Sequence, residues 1–99
     1  MTTIKFYKKY FDSRVTQSDL KNIEELYFRD IVEPFSVSVF DPCVNLVDLH
    51  LSKCILFSQD NHSLQQKLKR ATITQTVNLD VKNLFKNTVN LEYLDLSGN

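Results

Sequence analysis

The sequence predicts an α/β fold of repeated coils. The expected form is a right-handed solenoid, with a curved parallel sheet on its concave face and short helical or irregular segments on its convex face. Three observations predict it. The closing stretch LEYLDLSGN, Leu91–Asn99, carries leucines at offsets zero, three and five and an asparagine at offset eight. The same apolar pattern returns at steps of 22 or 23 residues through most of the chain. Gly98 is the only glycine, and Pro34 and Pro42 are the only prolines, which disfavours folds built on many tight turns with positive φ.

Taken in order, a weak first copy starts near residue 1, with Met1, Ile4, Phe6 and Lys9 at the key places. The next starts at Ile23 and continues with Leu26, Phe28 and Ile31. Leu46, Leu49, Leu51 and Cys54 form the third copy, and Leu68, Ala71, Ile73 and Thr76 the fourth. The last, Leu91, Leu94, Leu96 and Asn99, fills the pattern completely and is truncated after it. A single array thus spans 1–99, with strands centred on Ile4, Leu26–Phe28, Leu49–Leu51, Ala71–Ile73 and Leu94–Leu96. The segment SDLKNIEELYF also has helical spacing at Leu20, Ile23 and Leu26, with Ser18 as its N-cap. A helical turn over Ser18–Asn22 followed by a strand over Glu25–Phe28 reconciles the two patterns, because Tyr27-Phe28 and the following Ile31-Val32 favour extended chain.

A period this short leaves room between strands for only a short helical or 3-10 turn, or for extended chain. The inward residues expected there are Phe35, Val37, Val39 and Phe40; Ile55, Leu56, Phe57 and Leu64; and Val77, Leu79, Leu84 and Phe85.

The repeated L-x-x-L-x-L-x-x-N, with cysteine as an accepted last residue, resembles that of leucine-rich-repeat proteins over almost the whole chain. LFKNTVNLEYLDLSGN, Leu84–Asn99, is similar in style to the extracellular repeats of Toll-like and related receptors, where an LF pair precedes N-L-x-x-L-x-L-S-x-N. The resemblance implies a non-catalytic protein-interaction module, part of a longer extracellular or receptor-type protein. A small intracellular adaptor or substrate-recruiting scaffold is the alternative. The last place of the motif reads Lys9, Ile31, Cys54, Thr76, Asn99. The family's asparagine ladder is therefore intact only at the C-terminal end, and the first coils are expected to be less regular.

Composition narrows the function classes. Lys plus Arg and Asp plus Glu are both 12, so the formal charge is zero. That removes the electrostatic case for nucleic acid or an anionic membrane as main partner. Hydrophobic residues make up 42%, enough for a packed core. MTTIKFYKKYFDSR holds no apolar run of signal-peptide length, and no stretch reaches the ~20 apolar residues of a membrane span. Localisation therefore stays open: intracellular by default, extracellular if the chain is a piece of a receptor. In the latter case the sequon Asn61-His62-Ser63 would matter. Cys43 and Cys54 do not make a disulfide framework, and a buried, reduced Cys54 is expected.

No cofactor or metal is implied. His50 and Cys54 are four residues apart, but no second pair follows and they sit on opposite sides of the strand. Asp48, His50 and Ser52 share one face, yet they run along one strand without cleft or oxyanion turn, so no enzyme is expected. The basic run Lys67–Arg70 reads as a solvated face.

Function is expected on the outward strand residues, the third, fifth and seventh places of each motif. These are Glu25, Tyr27 and Arg29; Asp48, His50 and Ser52; Arg70, Thr72 and Thr74; and Tyr93 and Asp95. Thr3, Lys5 and Tyr7 continue the columns into the weak first copy, and Ser97 continues the seventh. A protein ligand should touch these rather than the convex residues Gln59, Asn61 and Lys82. Leu94 and Leu96 should be covered on one side only, so a longer natural array or edge-to-edge self-association is expected.

Overall fold

Strands form at the five expected places, the last ending at Asp95 and leaving out Leu96. The structure is a computed structural model that describes residues 3–7, 16–58 and 61–99. The elements are β1 (Thr3–Tyr7), α1 (Gln17–Asn22), β2 (Glu25–Arg29), a 3-10 turn over Val37–Phe40, β3 (Asp48–Ser52), β4 (Arg70–Thr74), α2 (Val81–Leu84) and β5 (Tyr93–Asp95). Met1, Lys9 and Gln59 lie outside the described residues.

The strands form one sheet in chain order, β1-β2-β3-β4-β5, and every neighbouring pair is parallel. Ile4 pairs with Leu26, Leu26 with Leu49, Leu49 with Ala71, and Ala71 with Leu94. Each partner is the same motif place one period on. The sheet register is thus the sequence period realised in space.

Alternation then sorts the side chains, since successive residues of a strand face opposite ways. Leu26, Phe28, Leu49, Leu51, Ala71 and Ile73 are all buried, joined by Ile23, Leu46 and Leu68 from the first motif place. Between the sheet and the return segments, Phe28, Phe35 and Phe40 pack edge-on or tilted, with ring centroids 5.3–6.0 Å apart. Such arrangements suit the ring quadrupoles. Phe6 meets Phe28 in the same manner and ties β1 to this core.

Two sets of bonds repeat with the period. Asp30, Lys53, Gln75 and Gly98 each follow the seventh motif place, and each has a positive φ, at 54°, 55°, 49° and 77°. The chain leaves every one of these strands through the same left-handed corner. At the ninth place, the Cys54 thiol donates to the Phe28 carbonyl at 3.7 Å, and the Asn99 amide donates to the equivalent Ile73 carbonyl at 2.6 Å. Asn99 also accepts from the Thr76 N–H at 2.9 Å. Thr76 does not reach back across the sheet; its hydroxyl turns to the Thr74 carbonyl within its own corner. Just before the motif, Asn45 and Asn90, two periods apart, donate to the carbonyls of Lys21 and Gln66 at 2.7 and 2.9 Å, and Lys67 between them donates to Asn45 Oδ1.

The return segments depart from expectation at two residues. Phe57 and Val77 are 52% and 53% exposed rather than inward. Both follow a buried neighbour, Leu56 and Thr76, and in extended chain the next side chain must point out. That extended path is fixed by bonds from Leu56 N–H to Val77 O and from Val77 N–H to Cys54 O. Helix α1 also starts earlier than expected. Its cap is Thr16, not Ser18: the Thr16 hydroxyl accepts from the Asp19 N–H, and the Asp19 carboxylate accepts from the Thr16 N–H. This reciprocal box satisfies two donors that a helix start leaves open.

Candidate functional site

The outer face of the sheet presents a grid of side chains whose rows are fixed by the pairing. The third-place row runs Thr3, Glu25, Asp48, Arg70, Tyr93. The fifth runs Lys5, Tyr27, His50, Thr72, Asp95, and the seventh runs Tyr7, Arg29, Ser52, Thr74. All eleven residues singled out from sequence lie on this grid.

Its centre is interlocked rather than loosely solvated. The Tyr27 and His50 rings stack, with centroids 4.1 Å apart and planes 8° from parallel. On the other side, the Lys5 ammonium lies 5.2 Å from the Tyr27 ring centre, within cation–π range. His50 Nε2 is 3.0 Å from Asp48 Oδ1, two residues back on the same strand. Both atoms are buried, but they are not aligned as a hydrogen bond and have no hydrogen-bond partner among the described residues. The contact is therefore a close polar one rather than an aligned hydrogen bond. The other carboxylate oxygen, Asp48 Oδ2, accepts from Arg70 Nε at 3.3 Å. Five side chains, from Lys5 on β1 to Arg70 on β4, thus hold one another across the sheet.

Ionisation follows from these neighbours. The Tyr27 hydroxyl is pushed above its ordinary range, first by desolvation and then by the carboxylates of Glu25 and Asp48. It stays a protonated donor and acceptor at neutral pH. The Ser97 backbone N–H holds the Asp95 carboxyl below its ordinary range.

Above this centre, toward the C-terminal ends of the strands, lies an open depression of about 430 Å³. Tyr27, Arg29, His50, Ser52, Thr72 and Thr74 line it, together with Lys5 and Tyr7. Glu25, Asp48, Arg70, Tyr93 and Asp95 share the face but stand outside it. From sequence, Lys5 and Tyr7 read only as continuations of the columns into the weak first copy. The signal was the column position alone, and the in-register pairing of β1 with β2 makes that signal good.

The two cysteines are thiols in the interior rather than site residues. Burial pushes Cys43 up to about 11 and raises Cys54 as well, so neither offers a ready thiolate. Among the described residues, no group of three or more His, Cys, Asp or Glu side chains gathers as a metal site, and no helix is long and apolar enough to cross a membrane. In comparisons with known proteins, no family model, no curated protein and no solved structure matches the chain.

Proposed function

We propose that this chain is a right-handed leucine-rich-repeat solenoid that binds a protein through the solvent-facing, concave side of its sheet and catalyses nothing. The observation that carries the reading is the interlocked grid from Lys5 to Arg70, in which aromatic and charged groups are held in place before any partner arrives. Pre-fixed side chains lose little entropy on docking. Tyrosine and arginine are the residues that most often anchor protein interfaces. The 22–23-residue register and the recurring left-handed corner support the repeat assignment.

The C-terminal repeat favours a piece of a receptor-type array. One observation favours the intracellular adaptor instead: both cysteines are buried as thiols with no disulfide, the usual state in a reducing compartment.

The test is a peptide selection against the immobilised chain, followed by affinity measurement on two folded double variants. Tyr27→Ala with Arg29→Ala should weaken the selected binders at least about tenfold, the loss of one anchor-sized contribution. Asn61→Ala with Lys82→Ala, on the return side, should leave them within about twofold, as expected away from an interface core. Losses confined to the second pair would refute the proposal.

A further inference from the structure

Phe6, Phe28 and Leu51 complete the lining of the depression with apolar groups, and its polar lining is one-sided in charge. Among the described residues lining it are two permanent cations, Lys5 and Arg29, the imidazole of His50, and the hydroxyls of Tyr7, Tyr27, Ser52, Thr72 and Thr74; no carboxylate lines it. The carboxylates of the face stand elsewhere. Asp48 is held against His50 and Arg70, Asp95 accepts from the Ser97 N–H, and Glu25 stands in the third-place row outside the depression. The Asp30 carboxylate lies 3.8 Å from Arg29 Nε. That is too long for a hydrogen bond, and Arg29 is largely exposed.

Pairing fixes how these donors converge. Arg29 sits between Tyr7 and Ser52 in the seventh row, each about 4.8 Å away across the sheet. Lys5 is one strand over and two residues back, about 8 Å from Arg29 at the backbone, a span that two long side chains close easily. Thr74 continues the row beyond Ser52. A neutral chain thus concentrates donors at one end of its sheet.

We infer that the depression takes one phosphoryl group, carried on a phosphorylated serine or threonine of the protein partner. This rests on the sheet face being the binding face. A tetrahedral dianion accepts from several directions at once, which matches an array of donors spread over four strands; a carboxylate has two oxygens in one plane. Arginine's fork and lysine's point charge are the usual pair for phosphoryl recognition. A polyanion such as nucleic acid or a charged membrane fits less well, because the third-place row just below carries Glu25 and Asp48.

The probes are N-acetyl-O-phosphoserine amide, N-acetyl-serine amide, N-acetyl-glutamate amide and inorganic phosphate, titrated into the full chain labelled with 15N. The phosphoserine probe should give saturable amide shifts at Lys5, Tyr27–Arg29 and Ser52, and should bind about tenfold or more tightly than the glutamate probe. Arg29→Gln and Lys5→Gln should each weaken it by about fivefold or more, while Lys82→Gln on the return side should not. Inorganic phosphate should compete for the same shifts. Equal binding of the phosphoserine and glutamate probes would overturn the phosphoryl assignment while leaving the face as the binding surface. Shifts that are absent, or that survive Arg29→Gln in a folded variant, would overturn it as well. The peptide selection on the alanine variants judges the face independently of either result.

Discussion

Asp30, Lys53 and Gln75 occupy the left-handed corner without being glycine, whereas Gly98 occupies it as the residue best suited to it. A β-carbon there costs roughly 1–2 kcal/mol, and glycine gives back about 0.5–1 kcal/mol through its floppier unfolded chain. At Gly98 an added Cβ would meet Gln75 Cγ at 3.7 Å, an ordinary contact, so only φ matters. Gly98→Ala should therefore destabilise by about 1 kcal/mol, and Gln75→Gly should stabilise by up to about 1 kcal/mol. Urea melts of the two variants check this, and the opposite ordering would mean the corner is not conserved in solution. His50 is the other residue whose role changes on seeing the fold. Sequence alternation makes it a solvated outer position, and truncating one of those usually costs less than about 0.5 kcal/mol. Its stack on Tyr27 and its contact with Asp48 raise the expected cost of His50→Ala to about 1 kcal/mol. The column positions of Tyr27 and His50 were legible; the stack was not, because it depends on ring orientation, which no spacing rule encodes.

Among the elements, the strands were legible because each carries an alternating apolar pair at a fixed period, and β3 is the clearest case. Leu49 is fully buried between the strands on either side, so Leu49→Ala should cost about 2–5 kcal/mol through lost burial and a cavity. Leu94 holds the same motif place in β5, yet it is 41% exposed and pairs only with β4. Leu94→Ala should cost about 1 kcal/mol, since much of its surface is already in water. Comparable losses at both positions in thermal melts would contradict the burial gradient along the sheet. The return segments were less legible. Phe57 and Val77 are apolar residues with no strict alternation around them, and the bonds that orient them come from other coils. The start of α1 was misread because Ser18 and Thr16 are both good caps; the reciprocal bond from Asp19 decides for Thr16. Thr16→Ala should cost about 1 kcal/mol in helix stability. The Asp19 carboxyl is held below its ordinary range, chiefly by the Thr16 backbone N–H. A depressed folded value means its contribution is full above the ordinary carboxylate range and is lost as pH falls through the lowered value. Amide exchange in α1 should accordingly quicken on acidification, and Asp19→Asn should remove that dependence.

At the scale of the molecule, one period writes two surfaces. Inward places make a continuous core from Phe6 to Ile73, and outward places make a side-chain grid across all five strands. The grid was legible as columns, and the depression at its C-terminal end became visible only with the strands in register. The geometry of the whole face follows from that register. Inter-strand nuclear Overhauser effects measure it most directly. The account predicts backbone contacts joining Leu26 to Leu49, Leu49 to Ala71 and Ala71 to Leu94 in the parallel pattern, with Tyr27 ring protons close to the His50 ring. Antiparallel contacts between sequence-adjacent strands, or a register shifted by one residue that carries Leu49 to the outer face, would contradict it.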